Sequence, residues 1–238
     1  MKSYINVENL TKIYDHKVVL KDVSFTLEKG RFLSIVGQSG IGKTTLLRLI
    51  AGFDEALEGN IYIDDKVIEG ASMKRILVFQ EFDQLFPWRT VKGNVEFALK
   101  YKGVPKEERG AKAVELLKKV GLEEAIKKYP YQLSGGMKQR VAIARALACE
   151  PEILLMDEPF GSVDVHTKEK LQKLLKTLWR QENITVLFVT HDVDEAIKMS
   201  TEILVLKEEG AVLIHNQQPL QDTDAYSEMC KRVRQEME

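Results

Sequence analysis

Cysteine is nearly absent: the 238 residues carry two, Cys149 and Cys230, in unrelated settings. Two such thiols make neither a disulfide framework nor a metal-binding spacing, and a reducing compartment suits them best. Histidine is equally sparse, and His16, His166, His191 and His215 form no short-range ligand cluster. There is no Gly/Ser-rich or Pro-rich linker, so one or two lobes around a real core are expected. No apolar run approaches the ~18–20 residues that a helical membrane span needs. Met1-Lys-Ser-Tyr leads into a strand-like pattern, not an apolar signal region. Membrane contact is therefore expected only through a partner. An excess of one charge is missing too: 35 Lys and Arg against 36 Asp and Glu leave a net charge of −1. Overall charge thus gives no support to a nucleic-acid partner. The locally basic run 100–119 reads as a solvated helix face.

What is present is an alternation of strands and helices. "YINVENLTKIY" and "VVLKDVSFTLEKGRFLSIVG" alternate apolar and polar residues, with Gly30 at a turn. "GNIYIDDKVI" (59–68) is a further pair of short strands. "LSIVG" breaks into glycines and is followed by helical spacing in "KTTLLRLIAGF". "ILVFQ" (76–80), "EILLMDEP" (152–159) and "ITVLFVTHD" read as buried strands, and "EILVLKEEGAVLIHN" as a hairpin turning at Glu208-Glu209-Gly210. Between them, 92–149 is helical in pattern, as are "HTKEKLQKLLKTLWRQE" and "VDEAIKMS". Continuous apolar strands separated by helices predict an α/β fold with a mostly parallel core sheet covered on both faces. The expected organisation is an α/β lobe (1–81 and 151–238) with a helical lobe, about 82–150, inserted into it.

Gly37-Gln38-Ser39-Gly40-Ile41-Gly42-Lys43-Thr44 fits the spacing G-x-x-x-x-G-K-[ST]. Glycines let the backbone curl so that successive N–H groups point at phosphate oxygens, and the helix that follows adds its positive end. Lys43 supplies a charge to the β- and γ-phosphates. Thr44 offers a hydroxyl to Mg²⁺, and Thr45 falls near the α-phosphate. Far along the chain, "ILLMDE" carries Asp157 to the C-terminal end of a buried strand, the edge where open α/β sheets bind ligands. Asp157 is a candidate for the Mg²⁺ shell. Glu158, expected to point the opposite way along the strand, is a candidate general base for attacking water. Ser134-Gly135-Gly136 opens another helix. It reads either as a plain helix cap or as a second anion site.

These stretches together resemble the ATP-binding subunit of ABC transporters over nearly the whole chain. "GQSGIGKTT" is similar to the Walker A of that family, "LSGGM" to its signature motif and "ILLMDE" to its Walker B. Gln80 stands at its Q-loop, "SVD" (162–164) at its D-loop, His191 at its H-loop, and Tyr14 where such subunits stack an aromatic ring on adenine. The resemblance implies a P-loop ABC cassette fold with an antiparallel β subdomain and ATP with Mg²⁺ as ligands. It also implies a head-to-tail homodimer in which Ser134, Gly135 and Gly136 meet the γ-phosphate held by the other copy. Gln80 would join Thr44 and Asp157 at the metal, His191 would contact the γ-phosphate, and Asp164 would act across the dimer.

"FDQLFPWRTVKGNV" (82–95), "LSGGMKQR" and "DEPFGSVD" are similar to importers of the nitrate, sulfonate, taurine and bicarbonate group. That implies an ATPase on the cytoplasmic side of the cell membrane, membrane permease subunits docked through 82–95, and indirectly an extracytoplasmic solute-binding protein. Phe82, Leu85, Phe86 and Trp88 read equally as helical-lobe core or as the lining of a groove for a permease helix. The short stretch after His191 makes an appended regulatory domain unexpected. Two other readings share the ATP chemistry: the ATPase of an exporter, and a non-transport ATPase of cofactor assembly or nucleic-acid maintenance.

Overall fold

The computed structural model describes residues 3–79, 84–161, 163–216 and 223–237. In chain order the elements are β1 (Ile5–Tyr14), β2 (Lys17–Leu27), β3 (Phe32–Val36), α1 (Lys43–Ala51), β4 (Glu58–Ile63), β5 (Lys66–Val67) and β6 (Arg75–Val78). Then come α2 (Val91–Tyr101), α3 (Lys106–Lys119), α4 (Gly135–Leu147), β7 (Ile153–Asp157), α5 (Val165–Glu182), β8 (Thr185–Val189), α6 (Val193–Met199), β9 (Glu202–Leu206), β10 (Ala211–His215) and α7 (Thr223–Met237).

Two sheets result. The antiparallel one runs β2-β1-β4-β5. The larger one runs β10-β9-β3-β8-β7-β6, and among the described strands in it β10 alone is antiparallel to its neighbour. β3, β8 and β9 are buried at every residue, because a parallel strand between helical layers has no solvent face. In register, Ile35 pairs with Val189 on one side and Leu204 on the other, and Asp157 pairs with Val189. The C-terminal ends of β3, β8 and β7 therefore lie side by side.

One apolar cluster joins the larger sheet to the helices between β6 and β7. Phe32, Met156 and Phe188 share it with Val95 of α2, Leu117 of α3 and Ile143 of α4. The other face packs on α1 and the antiparallel sheet through Ile35, Leu155, Leu46 and Val7. α6 and α7 close the β9–β10 end with Ala196, Cys230 and Val233. No motif predicts the helix at 223–237. Its signal lies in Tyr226, Met229, Cys230, Val233 and Met237, spaced by threes and fours along one helix face.

Helix starts are capped as their residues dictate. Thr90, Ser134, Asp164 and Asp192 each accept a backbone N–H from the first turn. α1 differs: its N-cap is Gly42, which has no side-chain acceptor to offer. Its first N–H groups are left for a ligand. Phe188, fully buried between Phe32 and Phe160 with ring centroids at 5.9 and 5.5 Å, is the clearest packing probe. Phe188→Ala is expected to cost about 3–5 kcal/mol in urea unfolding; a loss under about 1 kcal/mol would contradict this packing.

Candidate active site

The loop after β3 is shaped by glycines that are not interchangeable. Gly42 has φ 106°, and a Cβ there would lie 2.6 Å from Leu20 Cδ2 and 2.7 Å from the Val19 carbonyl oxygen. Hairpin residues that no motif names thus hold the loop down. Gly40 faces open space and is required by its φ of 79° alone. Gln38 and Ser39 are exposed, while Ile41 anchors the loop on the apolar cluster below.

Lys43 starts α1 and its side chain turns back under the loop. Nζ donates to the carbonyls of Gly37 at 2.9 Å and Gln38 at 2.8 Å. The residue is only 7% exposed. Burial pushes its pKa down, and the charges of Glu158 and Asp157 pull it back up. An ammonium resting on two neutral carbonyls beside an uncapped helix start is an anion site in form.

β7 delivers Asp157 to the same edge. Burial and, less, the neighbouring charge of Glu158 raise the Asp157 pKa above the ordinary carboxylate range, against a hydrogen bond from Thr44 and the charge of Lys43. The strand stops there. Glu158 has φ 42°, a left-handed turn, and its N–H donates to the Val189 carbonyl at 3.1 Å. The strand alternation expected to set the two carboxylates apart does not extend to Glu158, which lies just beyond the end of β7 in a left-handed conformation. That turn brings Glu158 Oε2 to 3.0 Å from Nδ1 of His191, the second residue after β8. His191 itself is exposed.

The remaining predicted residues divide. Tyr14 is tied to the end of α1: its hydroxyl donates to Asp54 Oδ2 at 2.9 Å, and Arg48 holds the same oxygen at 2.6 Å. Lys12 Nζ lies over its ring, 4.7 Å from the centroid. Thr45 follows Thr44 in the first turn of α1. Ser134, Gly135 and Gly136 begin α4, and the Ser134 hydroxyl oxygen accepts the Met137 N–H at 3.4 Å. Gly136 is buried, and a Cβ on it would meet Thr167 Cγ2 of α5 at 2.3 Å. Helix packing, not only ligand approach, demands this glycine. Asp164 caps α5 by accepting the Thr167 N–H at 3.0 Å, and hydrogen bonding to Thr167 lowers its pKa. Gln80, Phe82 and Ser162 lie outside the described residues.

The described part of the aromatic stretch divides between core and groove. Leu85 is core. Phe86 lines a groove of about 720 Å³ together with Ile76, Phe79, Phe97, Tyr101 and Ala146. Trp88, 71% exposed, stands at 5.5 Å from the Phe86 ring. Sequence reasoning missed Arg145, whose guanidinium lies 5.7 Å over the Phe86 ring and donates to the Gln84 carbonyl at the groove floor.

Residues 20–161 match the family model described as ABC transporter. The chain is 50% identical over 210 residues to an ABC transporter ATP-binding protein of Methanocaldococcus jannaschii, covering 87% of this chain and 78% of that one. It is 48% identical over 202 residues to the taurine import ATP-binding protein TauB of Escherichia coli (strain K12), covering 85% and 79%. Among solved structures, a dimeric ATP-binding cassette in a post-hydrolysis state with ADP and Pi superposes with TM-score 0.79 at 37% identity, covering 90% and 99%. A cassette of Clostridium perfringens, part of the ABC transporter complex cbiONQ, gives TM-score 0.85 at 28% identity, covering 99% and 97%.

Asp157 gives a test of the site's electrostatics without any ligand. A folded-state pKa raised above the unfolded value penalises the fold at neutral pH and ceases to do so once both states are protonated. Asp157→Asn is therefore expected to melt at a higher temperature than the parent at pH 7. The gap should close as pH falls into the acid range. A lower melting temperature at pH 7 would contradict the site as drawn.

Proposed function

We propose that this chain, which belongs to the family of ABC transporter ATP-binding proteins, is the ATP-hydrolysing subunit of an importer and works as a homodimer on the cytoplasmic side of the cell membrane. The observation that carries the chemistry is the gathering of Lys43, Asp157, Glu158 and His191 at the ends of three adjacent parallel strands.

The roles follow from what each group can do. The uncapped N–H groups of α1 and the N–H groups of the loop from Gly37 to Gly42 that are free of the Ile41–Gln38 bond donate to the phosphates, and Lys43 exchanges its two carbonyls for phosphate oxygens. Thr44 and Asp157 present a hydroxyl and a carboxylate side by side. Two oxygen donors, completed by phosphate and water, suit Mg²⁺ better than a cation needing a full protein cage. Gln80 is the third proposed oxygen donor there. Bound Mg²⁺ would neutralise charge on the transferred phosphoryl group. Glu158 takes the proton of the attacking water, and its partner His191 faces the γ-phosphate. Tyr14 offers its ring to adenine.

The Ser134-Gly135-Gly136 turn, with its hydrogen bonds kept within α4, serves the nucleotide of a second copy, and Asp164 reaches across the same interface. Support comes from the related cassette solved as a dimer with ADP and Pi. The apolar groove, with Trp88 at its rim, receives a short helix of the permease subunits through the region 82–95. The likeness to the taurine import protein favours a small anion such as a sulfonate as the solute, delivered by an extracytoplasmic solute-binding protein.

Glu158→Gln is expected to keep ATP binding, lower hydrolysis by about 10²–10⁴-fold and accumulate as a dimer in light scattering with ATP and Mg²⁺. A monomer hydrolysing at the parent rate would remove the base assignment. Tagged chain drawn from detergent-solubilised native membranes should bring a polytopic membrane protein with it. Trp88→Ala should weaken that capture while leaving the ATPase of the isolated chain unchanged. Recovery without any membrane protein would overturn the transport reading and leave the ATP site standing.

A further inference from the structure

Two segments leave the catalytic edge and run outward as helices. The chain after Glu158 reaches Asp164 and becomes α5; the chain after His191 becomes α6. Several side chains of α5 reach α6: Gln172 bonds Glu195, Lys176 bonds the Lys198 carbonyl, and Lys168, nearest the start of α5, meets the cap of α6. Lys168 of α5 donates from Nζ to Asp192 Oδ2 at 2.9 Å, and the same nitrogen lies 3.2 Å from Glu195 Oε1. Asp192 is the N-cap of α6, accepting the Glu195 N–H at 3.1 Å. Glu195 is only 5% exposed. Its carboxylate also accepts from Gln172 of α5 at 2.9 Å and from the Thr190 hydroxyl. Thr190 in turn accepts the Asp192 N–H at 3.1 Å, and its own N–H donates to the Ile35 carbonyl at 3.2 Å.

His191 sits between two residues, Thr190 and Asp192, that this network fixes. Its own side chain is exposed, and among the described residues its hydrogen-bond partner is Glu158 alone. The aim of the imidazole is therefore set by Glu158 on the ring and by the backbone fixed on either side of it. An exposed ring on a loose turn would sample many directions, and a misplacement of about 1 Å is enough to cost on the order of 10²-fold in rate. Lys168 is also tied to the interface side: its backbone N–H donates to the Asp164 carbonyl at 2.8 Å, and Asp164 is the cap of the helix that carries it.

We propose that Lys168 is a positioning residue for His191: it clamps α5 to the start of α6, so that the direction of the imidazole depends on where the turn at Asp164 is held. The inference rests on the reading of His191 as a γ-phosphate contact. It adds that a second copy pressing on Asp164 has a route to His191 through Lys168, the first of the α5 side chains that bond the α6 segment.

The test is a double-mutant cycle on the full chain, with steady-state ATPase as the readout. Lys168→Met should lower kcat about tenfold with KM for ATP within twofold, and Lys168→Arg should restore most of the loss. In a His191→Ala background, Lys168→Met should change kcat by less than twofold. Additive losses would overturn the proposal, as would parent-like kcat in Lys168→Met or failure of Lys168→Arg to rescue. If His191→Ala alone hydrolyses at the parent rate, the reading of His191 falls and this proposal falls with it. If additivity appears while His191→Ala is impaired, only the role of Lys168 falls. Should Lys168→Met not fold, Asp192→Asn keeps the helix cap but removes the nearer of the two carboxylates that hold Lys168, and the same cycle with it decides.

Discussion

Lys43 is the constraint around which the catalytic edge is organised. A nearly buried ammonium needs compensation, and within one chain it finds two carbonyls and the partial pull of two carboxylates. Around it, the other groups are equally short of partners. α1 begins without a side-chain cap, and Asp157 is half-buried beside a like charge. Each of these costs stability in the ligand-free chain. A polyphosphate with its cation answers all three at once, giving the lysine and the helix an anion and the aspartate a positive neighbour. A ligand of that charge would relieve these under-compensated groups, and anything that binds only the folded chain stabilises it by mass action.

The turn proposed to serve a second copy's nucleotide sits on a different support. Ser134 to Gly136 open α4, whose packing is against the other helices, β6 and α5, while the phosphate loop hangs from β3 and α1. The contact of Gly136 with Thr167 shows how tightly α4 and α5 meet. α5 cannot shift against α4 without moving the signature turn, and α5 begins just after Asp164. A change at the interface therefore acts on helix positions, and packed helices shift as bodies because the interior is too dense to deform smoothly.

Much of this was legible in the sequence, and the pattern of success is physical. The phosphate loop, the strand carrying Asp157 and the helix after Ser134 each depend on local rules: glycine spacing, a continuous apolar run, a capping residue. Local rules can be read from a string. The backbone at Glu158 could not, because strand alternation presumes an extended residue and the chain instead enters a left-handed turn whose N–H is taken by Val189 of another strand. The same holds for Leu20 and Val19 beneath Gly42, for Thr167 against Gly136, and for Lys168 with Glu195. All are pairs brought together by tertiary packing, and neither member looks unusual alone. α7 is a different case: its apolar face is local and readable, but it carries no motif that ties it to the chemistry.

The groove and the catalytic edge lie on neighbouring strands. β6 ends at Val78, which lines the groove and pairs in register with Met156, the residue before Asp157. Arg145 fixes the groove floor by donating to the Gln84 carbonyl, and burial lowers its pKa, so its charge is held there at a cost. A helix pressed into this groove meets the aromatic row of Phe86, Phe97 and Tyr101, whose centroids step by 4.5 and 4.7 Å. The aromatic row and the end of β6 form walls of the same groove, and β6 is hydrogen-bonded to the strand that carries Asp157. Groove and carboxylate are thus separated by a single ladder of backbone hydrogen bonds, and adjacency in the sheet, not a long chain of side chains, sets the distance between them.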